Sequence, residues 1–149
     1  MIKGLIEPIF EYNEETCSAL CVLSDGINTY IGTAQCHDED RDMASEKTGY
    51  EIAFKRAKIE YFKSVKKNEI LPALKALKQV YYTMKHSKKF NPKSYENKML
   101  WRQIRSYEFD LDIINEMLTK ERQSLNQYIQ EKDKFYKHIR ANRKLDINH

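Results

Sequence analysis

Cations and aromatic rings alternate through His86, Lys88, Lys89, Phe90, Asn91, Pro92, Lys93, Ser94 and Tyr95. A base can stack on Phe90 or Tyr95 while lysines and the open N–H groups of a helix N-terminus hold a phosphate, so this composition suits nucleotide binding. The same residues would equally build a solvated hairpin turn anchored by one ring. Arg102 and Arg105 stand three apart on one helical face just beyond, and Arg140, Arg143 and Lys144 form a second basic group near the end of the chain. A guanidinium grips a phosphate with a planar fork, although a basic helix end also complements the helix dipole. The ligand-binding candidates are therefore Phe90, Asn91, Tyr95, Arg102, Arg105, Arg140 and Arg143. Trp101 is either a flank of a helical seam or an exposed interface residue.

Other chemistry is thin. His37 beside Asp38, Asp40 and Asp42 is the one acid/base constellation, and acidic loops before helices serve capping and the helix dipole. The chain has no Gly-rich phosphate loop, no H-E-x-x-H helix and no nucleophile elbow, so no catalytic residue is assigned. Cys36 and His37 could be half of a zinc site, but no second pair stands at ligand spacing, and neither a metal nor a cofactor is expected. Cys17, Cys21 and Cys36 are an odd number and argue against a disulfide framework. Cys17 and Cys21, four apart in a strand pattern, share a face as small core residues.

The elements that position these groups follow from periodicity. Residues 1–35 read as a small antiparallel sheet with strands over Ile2–Tyr12, Thr16–Leu23 and Ile27–Gln35. Pro8 marks an edge strand, and Asp25-Gly26 between apolar runs marks a hairpin. Ser45 or Thr48 caps a helix whose buried stripe begins with Ile52, Ala53, Ala57 and Tyr61. Helix continues to Ser87, with Pro72 either starting a second helix or kinking one. After the turn at Asn91-Pro92, Ser94 caps a helix that runs to about Arg143. Its stripe is Leu100, Ile104, Tyr107, Leu111, Ile114, Leu118, Leu125, Ile129, Tyr136 and Ile139. Two helical stripes around a short turn make an antiparallel hairpin. That register sets Met84 near Leu100, Ala53 near Ile129, and Arg140 and Lys144 near the acidic segment Asp38–Asp42. The expected fold is α+β: a small N-terminal sheet packed with a long helical hairpin, one domain over 1–149 (sheet and acidic loop 1–44, hairpin 45–144).

With 149 residues, 41% hydrophobic and 32% charged, the chain can bury a core, and four Gly with three Pro favour helix over loop. Apolar runs such as Ala19–Leu23 fall far short of a membrane span. No secretory leader pattern is visible, so a cytoplasmic protein is expected. A net charge of +4 permits an anionic partner without demanding one.

The segment Ala34-Gln35-Cys36-His37-Asp38-Glu39-Asp40, followed by Gly49 and by Ile52, Ala53, Arg56 and Ala57, resembles a pattern common in small proteins of bacteriophages and Gram-positive bacteria. With the layout of sheet and long helices, it looks most like the Thoeris anti-defence family. That resemblance implies a phage-encoded sponge, acting in the host cytoplasm, that sequesters a cyclic nucleotide signal (cyclic-ADP-ribose type or cyclic oligonucleotide) without cleaving it. The long helix exposes much surface for its volume, and with Tyr128, Phe135 and Tyr136 near its base a homo-oligomer, dimer or higher, is expected. Related local patterns occur in sheet-and-helix proteins that bind double-stranded RNA, so the alternative is a protein- or RNA-binding inhibitor such as an anti-CRISPR, with nucleic acid as partner.

Overall fold

The computed structural model describes residues 5–36 and 45–147. The segment 37–44 lies outside the described residues, and with it the constellation at His37 and the pairing of Arg140 and Lys144 with Asp38–Asp42. The architecture is α+β. Three antiparallel strands, β1 (Ile6–Asn13), β2 (Ser18–Ser24) and β3 (Thr29–Gln35), lie in the order β1-β2-β3. They precede α1 (Glu46–Val65), a π turn (Lys66–Ile70), α2 (Leu71–Lys85) and α3 (Tyr95–Ile147). The described residues form two compact units, 5–36 and 45–61 with 119–147, and 62–118.

In the first unit the sheet is built from two local devices. Pro8 falls where the β1–β2 ladder slips between Ile6 and Ile9, a bulge that spares the ladder a missing donor. The β2–β3 turn is organised by Asp25, whose Oδ1 accepts from the Ile27 and Asn28 N–H groups at 2.9 and 2.7 Å while Oδ2 accepts the Tyr30 hydroxyl at 2.8 Å. Gly26 supplies the positive φ of 93° that the turn requires.

Strand alternation then turns Ala19, Cys21 and Leu23 of β2 and Tyr30 and Ala34 of β3 to one buried face. Helix α1 lies on that face at very short range. A Cβ at Gly32 would overlap the Ala53 carbonyl oxygen and the Ala57 nitrogen, so backbone meets backbone there, and both alanines are fully buried. Phe10 closes the edge against Tyr50 and Phe54, with ring centroids at 4.8 and 6.1 Å. Ser45 is the cap: its carbonyl accepts the Gly49 N–H at 3.0 Å and its hydroxyl stands 3.5 Å from the Thr48 nitrogen. The end of α3 runs antiparallel to α1 in this unit. Lys55 Nζ donates to Ser124 Oγ at 2.8 Å, and Lys58 Nζ lies 3.1 Å from Glu121 Oε1, so three residues forward on one helix are three back on the other. Ile52 and Ile129 line a common cavity, in keeping with the expected level of Ala53 and Ile129.

The second unit is a helical hairpin with Val65, Ile70, Leu74, Ile104, Ile114 and Leu118 buried. Of the two expected places, Pro72 takes the start of a second helix. It sits in the first turn of α2, and the preceding π turn, in which the Leu71 N–H reaches the Lys66 carbonyl, widens the helix where a proline nitrogen cannot donate. Lys78 Nζ stands 3.5 Å from Glu108 Oε1, and Tyr81 packs on Trp101 at 5.3 Å, one turn from the expected meeting of Met84 with Leu100. Among the described residues no helix is long and apolar enough to cross a membrane.

Candidate functional site

The turn between α2 and α3 is built around Asn91. Its Oδ1 accepts the Lys93 N–H at 3.0 Å, and its carbonyl accepts both the Ser94 N–H at 3.1 Å and Asn97 Nδ2 at 2.7 Å. Ser94 begins α3, with its hydroxyl 3.3 Å from the Asn97 nitrogen. Glutamate or glutamine in the third helical position commonly reaches back to the cap. Asn97 turns its amide onto the loop instead.

This folding of the turn onto the helix opens a cleft of about 200 Å³ lined by Tyr81, Phe90, Pro92, Asn97, Lys98 and Trp101. Three rings surround it. Phe90 meets Tyr81 edge-on at 6.0 Å, and Trp101 leans on Tyr81 at 5.3 Å with the Arg105 guanidinium 5.1 Å from the centre of its ring. Asn97 is only 6% exposed, and its Oδ1 is buried with no hydrogen-bond donor. A buried carbonyl left in that state costs about 1–3 kcal/mol. The other such acceptor, Glu121 Oε1, differs because the Lys58 ammonium stands beside it at 3.1 Å.

The candidates named from sequence separate. Phe90 lines the cleft. Asn91 shapes the loop beside it, with its two oxygens engaged in the turn. Tyr95 is 72% exposed. Arg102 and Arg105 lie further along the exposed side of α3, Arg105 against the outer part of the cleft through Trp101. Arg140, half-buried, and Arg143, exposed, belong to the other unit. Sequence reasoning missed Tyr81, Asn97 and Lys98. An asparagine in the third position after a serine cap is the available signal for Asn97.

The other unit holds a cavity of about 280 Å³ between the turn at Cys17, the start of α1 and the stretch of α3 from Ile129 to Tyr136, with Arg56, Lys132 and Asp133 in its wall. Its cations are occupied: Arg56 Nη1 donates to the Thr33 carbonyl at 2.7 Å, and Lys132 Nζ lies 5.5 Å over the Tyr128 ring. Cys17 stands just ahead of β2, at a left-handed φ of 51°, and only Cys21 is fully buried. Burial raises the thiol pKa of Cys21. Burial, and next Cys17, raise that of Tyr12 on the cavity wall. Among the described residues no three His, Cys, Asp or Glu side chains gather as a metal site.

No family model, no curated protein and no solved structure matches this chain.

Proposed function

We propose that the protein binds and sequesters a cyclic nucleotide signal, of the cyclic-ADP-ribose type or a cyclic oligonucleotide, without cleaving it, and that the cleft at the start of α3 takes its base. The observation that carries this reading is the buried, donorless Oδ1 of Asn97 beside three rings. An N–H on the base edge satisfies that acceptor, and its faces stack on Phe90, Tyr81 or Trp101. Lys98 in the wall and the N-terminus of α3 then meet the phosphates, with Arg102 one turn beyond Lys98. Sequestration needs tight binding and nothing that reacts, and the cleft's lining holds no serine, cysteine, histidine or carboxylate. The reading rests further on the resemblance of the Ala34–Asp40 stretch and the helix after it to the Thoeris anti-defence family.

Titration calorimetry against a panel of cyclic nucleotides and cyclic ADP-ribose isomers tests this. One member should bind, and heat-denaturing the loaded protein should release it with unchanged mass. A hydrolysed product would make the protein an enzyme. Uptake of none of the panel would discard the reading.

A further inference from the structure

Along the exposed side of α3 in the helical-hairpin unit, Arg102, Arg105, Phe109, Asp112 and Glu116 recur at steps of three and four and are all exposed. Such spacing sets them in one line along a helical face. Its centre is apolar: Phe109 is 65% exposed, and Ile113, one turn on, is 37% exposed. Its two arms carry opposite charge. Arg102 lies seven residues before Phe109 and Glu116 seven after, while Arg105 lies four before and Asp112 three after.

We infer that this stripe is the seat of a second copy of the chain, in an antiparallel helix pair whose two-fold axis passes beside Phe109. A two-fold axis sets the same patch against itself in reverse. Arg102 of each copy then faces Glu116 of the other, Arg105 faces Asp112, and the two Phe109 rings meet at the axis and leave water. A parallel pair would set arginine against arginine and carboxylate against carboxylate, so the charge order selects the antiparallel form. Lys78 and Glu108 pair within the chain off the stripe, while Arg105 stands over the Trp101 ring and Glu116 has a contact of its own, so the pairs across the axis add to those contacts and do not replace them. The nucleotide proposal is not needed for this inference: the stripe shares no residue with the cleft's own lining, and Arg102, which that proposal also sets beside the phosphates, meets Glu116 here in the ligand-free chain.

Sedimentation of the full chain without ligand tests it. At tens of micromolar the unaltered protein should sediment as a dimer that weakens in 0.5 M salt, an arbitrary working concentration of roughly threefold the physiological ionic strength. Arg102→Glu with Arg105→Glu makes an all-acidic stripe, and Asp112→Arg with Glu116→Arg an all-basic one. Each variant alone should be monomeric, and an equimolar mixture of the two should return a one-to-one dimer. Mixing does not repair a folding defect, so this rescue separates a seat between copies from a structural role. As an independent reading, Phe109→Cys in the otherwise unaltered chain should cross-link to its own copy through residue 109 under a glutathione redox buffer, as mapped by mass spectrometry. A monomeric unaltered protein, a dimer that survives both reversals, or a Phe109→Cys chain that does not cross-link through residue 109 would each overturn the inference, and the first would hand the stripe to a different protein.

Discussion

The two compact units close their interiors in opposite ways. In the sheet unit, Gly32 meets Ala53 and Ala57 with almost no side chain between, and the polar groups of the hairpin turn have their partners. In the helical-hairpin unit, three large rings lean on one another around a cleft, and a buried amide oxygen goes without a donor. The first contact is tight, and the cavity elsewhere in that unit, of about 280 Å³, is walled by cations that already have partners. The second holds a smaller space, of about 200 Å³, beside an unmet acceptor. Substitutions should therefore divide, with large stability effects in the first unit and large affinity effects in the second.

Gly32→Val is the severest break. Overpacking costs about 1–3 kcal/mol where side chains can move aside. Here the obstacle is backbone of α1, so a loss on the order of 3 kcal/mol or more is expected, a large part of a typical stability of about 5–15 kcal/mol. Urea unfolding followed by circular dichroism measures it. A loss under about 1 kcal/mol would mean that α1 is free to lift from β3.

Trp101→Ala should reverse the balance. The ring is 42% exposed, and its tilted contact with Tyr81 is worth about 0.5–1.5 kcal/mol beyond area burial, so the fold should survive. Affinity for the nucleotide should drop, because one stacked base is worth about 1–3 kcal/mol, roughly 5- to 150-fold. Equal binding by the variant would move the ligand out of this cleft.

Much of the scaffold was legible because it is written in local patterns. Ser45 and Ser94 cap where a hydroxyl precedes an apolar rhythm, Asp25-Gly26 turns the hairpin, and the stripe from Leu100 to Ile139 is buried or half-buried at every position named. Pro72 left two readings open, because sequence shows the missing donor but not the widened turn that absorbs it. The candidate site was legible only in part. Phe90 was placed in a ligand set by its cationic neighbours, yet Tyr81, Asn97 and Trp101 complete the cleft through contacts across the hairpin that no local pattern announces. Arg140 and Arg143 entered the same set on charge alone, and charge carries no information about which unit a residue joins. Gly32 sends a faint signal, a glycine inside a strand, which marks a close approach without saying of what.

Asn97→Ala sharpens the comparison at lower amplitude. It removes one bond to the Asn91 carbonyl, worth about 0.5–1.5 kcal/mol, and also removes a buried acceptor that costs about 1–3 kcal/mol unpaired. The two together run from a loss of about 0.5 kcal/mol to a gain of about 2.5 kcal/mol, so stability should hold or rise. Nucleotide affinity should nonetheless fall about tenfold, the value of one hydrogen bond that the ligand alone supplies. Calorimetry and urea unfolding on the same preparation read both numbers. Lost stability with unchanged affinity would make Asn97 a turn residue only.

The smallest effect belongs to Asp25, in the sheet unit. Its carboxyl is held below the usual carboxylate range by the Asn28 N–H, then the Ile27 N–H, then the Tyr30 hydroxyl. A depressed folded pKa means the unfolded chain takes up the proton first, so the stabilisation is complete above the unfolded value of about 3.9 and is lost as pH falls through the lower folded value. Asp25→Asn keeps a carbonyl acceptor for the turn but has no charge to lose. The gap in melting temperature between the unaltered protein and this variant should accordingly be constant through neutral pH, shrink below about pH 4 and close in stronger acid. Nucleotide affinity at pH 7 should not change, because Asp25 lies in the sheet unit and the cleft in the other. A gap that widens on acidification would reverse the sign of the argument and show that the hairpin turn prefers a protonated carboxyl.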